Sequence, residues 1–306
     1  MVKLTQEQVD TFHREGLLCV ENFLLSEQVQ TLKQRAQDLL DNFDVSTHPK
    51  TQFRTNENDH IGDQYFFDSA DKVSFFFDVD AFDEAGNLLW PKQRAINKLG
   101  HGLHMHEPVF REVTFDDLVK DVARALDFKD PRVLQSMCIF KQPDEVKGGE
   151  RDNAVPPHTD AWFLYTEPQS ALGFWFALED CDEQNGCLSY NPGSHKTFPI
   201  KKRFAKVDGG DKGCNFVDVP NDEPIPEDDP AAYKPVPCKA GSLVLIHNLV
   251  LHKSEKNRLS KSRYVYAFHV IDGVAKYDEK NWLQVPPCKE GGQEFSKLYE
   301  ETKEMP

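Results

Sequence analysis

Apolar positions in the first 45 residues fall at helical spacing, then in a short continuous run, then at helical spacing again. This predicts helix, strand, helix. Thr5 and Gln8 form a capping-box pair at the first start, and Gly16 stands where a helix-ending glycine belongs. LLCVENFL is the apolar run. Ser26 is expected to cap a second helix carrying Val29, Leu32, Ala36, Leu39, Leu40 and Phe43 on one face. Residues 46–96 show weak periodicity and many turn formers, so long packed loops are expected there, with Phe66, Phe67, Phe75, Phe76 and Phe77 as packing groups. From Glu107 to Phe128 a third helix is expected, on Phe110, Val113, Leu118, Val122 and Leu126.

After Pro131 the pattern changes to short runs rich in β-branched and aromatic residues: VLQSMCIF, AWFLYT, LGFWFALE, GCLSY, GSLVLIH and RYVYAFHVI, separated by Gly, Pro, Asn and Asp. That is the pattern of an all-β sandwich or barrel. The division expected is a mostly helical and loop flank over 1–130 and a β core over 131–275, within one domain of 1–306. Residues 207–237 are read as an acidic, Pro-rich insertion.

The net charge of −15 disfavours nucleic acid and anionic membranes as partners, since both need a basic face. No run approaches the ~20 apolar residues of a membrane span. The polar N-terminus has no signal core, and the seven cysteines include no C-x-x-C pair. A cytoplasmic protein with reduced thiols is expected. Sequence does not give the oligomeric state.

Chemistry centres on His158-Thr159-Asp160. Residues i and i+2 of a strand share a face, so both side chains can meet one ion, and His252 follows the run GSLVLIHNLVLH as a third ligand. Two imidazoles and one carboxylate leave coordination positions open and suit non-haem Fe(II). A His-x-Asp alone arises often by chance among eleven His and 51 acidic residues. Here Arg263 lies eleven residues beyond His252 on the next expected strand. Its planar fork matches a carboxylate, such as the far end of 2-oxoglutarate. His101, His104 and His106 lack the further ligands of a closed zinc site and are read as structural. His195 is read as anchoring a turn, His247 as packed away, and Asn185-Gly186 as a tight turn. No H-E-x-x-H motif supports a zinc hydrolase. The run Lys196–Lys206 is a basic island, either a solvated loop or a seat for an anionic substrate.

NGCLSYNPGSHK at 185–196, HTD at 158–160, GSLVLIHNLVLHKSEKN at 241–257 and Arg263 resemble, in order and spacing, the signature of the phytanoyl-CoA dioxygenase family. INKLGHGLH, LQSMCIFKQP and FLYTEP extend the resemblance, which runs from FHREGLLCVENFL to NWLQ. It implies a double-stranded β-helix (jelly roll, cupin-like) core with flanking helices. It implies Fe(II) at His158, Asp160 and His252. It also implies 2-oxoglutarate contacted by Lys98, Met137, Trp175 and Ser254, with its far carboxylate on Ser254 and Arg263, and dioxygen as the second cosubstrate. The segment KGGERDNAVPPHTD looks longer before His158 than the family pattern, which leaves the shape of the entrance open. The expected activity is hydroxylation of a small or medium-sized substrate, with an intact carboxylate ligand disfavouring halogenation. A binding protein on an oxygenase fold and an acyl-CoA 2-hydroxylase are the alternatives.

Overall fold

Strand alternation decides where every side chain of the β region goes. In Leu172–Ala177, residues Leu172, Phe174 and Phe176 join one apolar cluster, while Trp175 and Ala177 join another on the opposite face. The same division holds for Leu243 and Leu245 against Val244 and Ile246, and for Tyr266 and Phe268 against Val265 and Ala267. One face is covered by helices and the other faces a second sheet. Each fully buried Phe on the helical side contributes roughly 1.5–3 kcal/mol relative to exposure.

The computed structural model describes residues 3–50, 64–146, 149–150, 153–207, 213–226, 228–287 and 292–300. The large sheet is antiparallel, with strand order Leu17–Val20, Leu243–His247, Leu172–Ala177, Arg263–Asp272, Pro131–Lys141, Ile96–His101 and Val73–Phe77; Ser296–Lys297 pairs at its side. The smaller sheet runs Lys234–Val236, Leu188–Tyr190, His252–Ser254 and Val155–His158. Leu188 and Val236 of the small sheet pack with Trp175, Val244 and Val265 of the large one. This is the expected double-stranded β-helix.

The helices Gln6–Glu15 and Ser26–Asn42 cover the outer face through Phe12, Leu32, Ala36 and Leu40. The first has the expected Thr5/Gln8 capping box, and Gly16 ends it at φ 83°. Ser26 does not cap the second. Leu25 is its N-cap, and its N–H donates to Gln28 Oε1 at 2.9 Å.

Three other expectations need correction. Phe75–Phe77 lie in a strand, Val73–Phe77, paired with the strand Ile96–His101, so the N-terminal flank supplies strands to the large sheet. The single helix expected over 107–128 is two, Pro108–Thr114 and Asp117–Ala125, because Asp116 turns its carboxylate onto the Leu118 N–H and starts a new N-terminus. The region 207–237 is not purely loop. Cys214–Asp218 pairs with Lys202–Lys206, and Lys234–Val236 pairs with Leu188–Tyr190. Residues 208–212 and 227 of that region lie outside the described residues, as does Cys288. The six other cysteines are free thiols. No described helix is long and apolar enough to cross a membrane.

Candidate functional site

Val155–His158 is an edge strand, where Pro156 and Pro157 cost no ladder hydrogen bond. Its last residue, His158, pairs across the sheet with His252, and the two rings stand 4.2 Å apart between centroids. Thr159 is extended, and Asp160 begins a 3-10 turn, Asp160–Trp162, tied by the Ala161 N–H to the Asn248 carbonyl. The extended Thr159 keeps His158 and Asp160 on one side of the chain, as the strand period predicts, and the turn beginning at Asp160 fixes the carboxylate there. Asp160 Oδ1 lies 3.7 Å from His252 Nε2. One ligand atom from each of His158, Asp160 and His252 falls within 4.8 Å of the others.

The tautomers suit a metal. His158 Nδ1 lies 2.9 Å from the Pro156 carbonyl, and His252 Nδ1 lies 3.1 Å from the Val250 carbonyl. A carbonyl only accepts, so each Nδ1 carries a proton, and Nε2 is the ring atom left to meet an ion. Burial, helped by neighbouring His252, pushes His158 down to about 4, which keeps it a neutral ligand at ordinary pH. Burial works to raise Asp160, but His252 and His269 more than offset it and hold the carboxylate well below its usual range.

Asp160 is fitted closely against the large sheet. A Cβ at Gly173 would stand 3.4 Å from both Asp160 Oδ2 and His269 Nε2 and 3.3 Å from Ile246 Cβ, so glycine makes room for the carboxylate. His269 Nε2 approaches Oδ2 at 3.4 Å, an electrostatic contact more than a formed hydrogen bond. On its other side, His269 Nδ1 meets the Gln135 amide at 3.3 Å. An Nε2–H facing the carboxylate is the favoured tautomer, with Gln135 donating to Nδ1.

The triad opens into a cavity of about 640 Å³ between the sheets, and all eight residues singled out in the sequence line it. Arg263 is buried, its guanidinium 5.4 Å from the Trp175 ring centre. Its Nη1 donates to the Gly186 carbonyl, while its Nε has no hydrogen-bond partner among the described residues. Burial lowers its pKa. Lys98 is buried beside Met137, with Nζ 3.7 Å from Sδ and 3.3 Å from His101 Nε2, and burial holds its pKa well below the usual range. Ser254 donates to the Gly186 carbonyl at 2.7 Å. The cavity lining is also aromatic, with Phe66 stacked on Trp282 at 4.6 Å and Phe163 against Phe216 at 5.6 Å.

Lys141, Gln135 and His269 also line the cavity and were not anticipated. The signal existed. Gln135, Met137, Ile139 and Lys141 are alternate residues of one strand, and Arg263, Val265, Ala267 and His269 of its neighbour. Any one cavity residue identifies the rest of its face.

Of the other motifs, His101 lines the cavity, and the basic island expected as a solvated loop or an anion seat holds a strand, Lys202–Lys206. His104 bonds Ser136 Oγ at 2.8 Å, and its burial depresses its pKa to about 3. His106 donates to the Asp71 carbonyl, and His195 Nε2 to the His13 carbonyl at 3.1 Å. His247 stacks near His195 at 4.8 Å. Its separation from His252 comes from a change of strand, not from opposite faces of a single one. In the basic island, Arg203 pairs with Asp278 at 2.9 Å, Lys201 donates to the Asn221 carbonyl, and Lys202 Nζ lies 3.9 Å over Trp162.

Known proteins resemble this chain in sequence and in fold. Residues 12–265 match the model of the phytanoyl-CoA dioxygenase (PhyH) family. The chain is 42% identical over 282 residues to a phytanoyl-CoA dioxygenase of Arabidopsis thaliana, covering 92% of this chain and 94% of that protein. It is 41% identical over 294 residues to phytanoyl-CoA dioxygenase domain-containing protein 1 of Bos taurus, covering 94% and 97%. Its fold is similar to that of SnoN, a non-heme alpha ketoglutarate dependent epimerase from nogalamycin biosynthesis, with TM-score 0.62, 17% identity and 96% and 98% coverage. With the family model spanning most of its length and relatives aligned nearly end to end, the chain belongs to the phytanoyl-CoA dioxygenase family.

Proposed function

We propose that this chain is an Fe(II)- and 2-oxoglutarate-dependent oxygenase that hydroxylates a small or medium-sized substrate, with release of succinate and carbon dioxide. The observation that carries the reading is a single cavity with a two-histidine, one-carboxylate cluster in its wall and the buried, incompletely bonded Arg263 in the same space. Both imidazoles fix Nδ1 on a backbone carbonyl and leave Nε2 for a metal, and the open face of such a triad suits Fe(II). His158, Asp160 and His252 would hold the iron. Arg263 would hold the far carboxylate of the oxo acid, beside Lys98, Met137, Trp175 and Ser254. When bound, the iron would activate dioxygen, which is the oxidant, with the oxo acid giving two electrons as it loses carbon dioxide; the chain supplies orientation and exclusion of water.

The aromatic rings in the cavity lining favour a substrate with an apolar part. Arg203 is already paired with Asp278, which disfavours the basic island as a seat for a polyphosphate carrier such as coenzyme A. The test is turnover of 2-oxoglutarate with Fe(II) against a panel of metabolites and acyl-CoA esters. One succinate per hydroxylated product is expected with a non-CoA substrate. Coupled turnover of acyl-CoA esters alone would overturn that preference, and no oxo-acid turnover under any condition would overturn the reading itself.

The metal reading extends to His269. Replacing it with alanine frees the Asp160 carboxylate on one side. The expected result is a 10- to 100-fold weaker affinity for Mn(II) or Fe(II), roughly the cost of losing an outer-shell partner. His269→Gln, which still offers an N–H donor, is expected to recover part of this. Titration of the metal-free protein measures both, and unchanged affinity in His269→Ala would remove the residue from the site.

A further inference from the structure

The cation opposite Arg263 is the feature the reading above does not use. In the antiparallel register Arg263 pairs directly with Lys141, and both side chains point to the cavity face. Both are buried, with 4% and 5% of their surfaces exposed. Two like charges in one desolvated wall repel each other. Burial and the Arg263 charge push the Lys141 ammonium well below its usual pKa, with Asp78 and Glu255 opposing.

Lys141 is nevertheless held in place. Its Nζ donates to Ser254 Oγ at 2.8 Å, to the Asn153 carbonyl at 3.1 Å and to the Ser254 carbonyl at 3.3 Å. The Ser254 hydroxyl gives its own proton to the Gly186 carbonyl, which also receives Arg263 Nη1. Ser254 thus has its one donor committed to the backbone and an acceptor site committed to Lys141, while Lys141 spends its third N–H on the long 3.3 Å bond to the Ser254 carbonyl, which a ligand carboxylate can replace. Gly186 makes the junction possible. It sits at φ 71°, and a Cβ there would overlap the Glu255 carbonyl and stand 2.7 Å from Lys141 Cε. Lys141, Arg263, Ser254 and Gly186 form one knot that sets two cationic side chains side by side in the cavity wall.

We propose that Lys141 is a second cationic anchor for the distal carboxylate of the oxo acid, and that Ser254 acts as a positioning residue holding Lys141 rather than as the principal contact. This rests on the function proposed above. A dicarboxylate then answers both cations of the facing pair, and an oxo acid without the distal carboxylate answers neither.

The test compares 2-oxoglutarate with 2-oxopentanoate, which has the same chain length but a methyl end. Binding is measured by calorimetry on protein loaded with Mn(II), so that no turnover is required. Lys141→Met is expected to weaken 2-oxoglutarate about 10- to 100-fold, the loss of one hydrogen bond to a charged group, while 2-oxopentanoate binding stays the same. Ser254→Ala is expected to weaken 2-oxoglutarate less. Equal losses for both acids in Lys141→Met would show a structural lysine and overturn the proposal, as would unchanged 2-oxoglutarate affinity or a larger loss in Ser254→Ala. Lys141→Gln gives the same comparison if the methionine variant does not fold. Wild-type protein that binds neither acid would instead overturn the function on which the proposal rests.

Discussion

Replacing His158 or His252 with alanine is expected to reduce oxo-acid turnover to that of the metal-free protein. The two rings face each other across one strand pair, each with Nδ1 fixed on a backbone carbonyl and Nε2 available. Neither can substitute for the other, because losing one leaves a two-ligand site with a carboxylate that is already deprotonated and unpaired on one oxygen. Fold stability is expected to change little for His158→Ala, since His158 is at the end of an edge strand. Circular dichroism and thermal melting should therefore show a folded protein whose metal titration has lost its tight component. Full turnover by either variant in metal-replete buffer would refute the assignment.

Arg263→Ala is expected to weaken 2-oxoglutarate binding by ~2–5 kcal/mol, the range for truncating one member of a buried charge pair. Among the described residues the guanidinium bonds the Gly186 carbonyl and its Nε has no partner in a desolvated wall, so a ligand carboxylate would meet unfilled donor capacity. Arg263→Lys should restore only part, because an ammonium cannot present two parallel donors. Metal affinity should be nearly unchanged, since Arg263 makes no contact with the three ligands among the described residues. Calorimetry with and without oxo acid separates the two effects. Unaltered oxo-acid affinity in Arg263→Ala would show that the arginine serves packing alone.

The β core was legible because its runs alternate and are punctuated by turn formers. The strand Val73–Phe77 was not, since three consecutive Phe residues carry no alternation even though the two faces of that strand bury them against different clusters. The break at Phe115–Asp116 was hidden because the apolar spacing continues through it while the cap depends on one carboxylate. At the site, His158, Asp160, His252 and Arg263 could be named because residue type and order restrict such a set strongly. The reason first given for His158 and Asp160 was incomplete, because the 3-10 turn that aims Asp160 is held by Asn248, far along the chain. Lys141 and His269 were overlooked because single polar residues inside apolar strands look like interruptions. Their meaning depends on strand register, which places them opposite Arg263 and Gly173.

The central claim is that one metal and one oxo acid share the His158–Asp160–His252 face. Anaerobic titration with Fe(II), followed by 2-oxoglutarate, tests it most directly. The account predicts one equivalent of tightly bound iron and a visible charge-transfer absorption that forms only when the oxo acid is added. The absorption should be missing in His252→Ala and should require more oxo acid in Arg263→Ala. Iron binding without that absorption at saturating 2-oxoglutarate, or the same absorption at full intensity in His252→Ala, would contradict it.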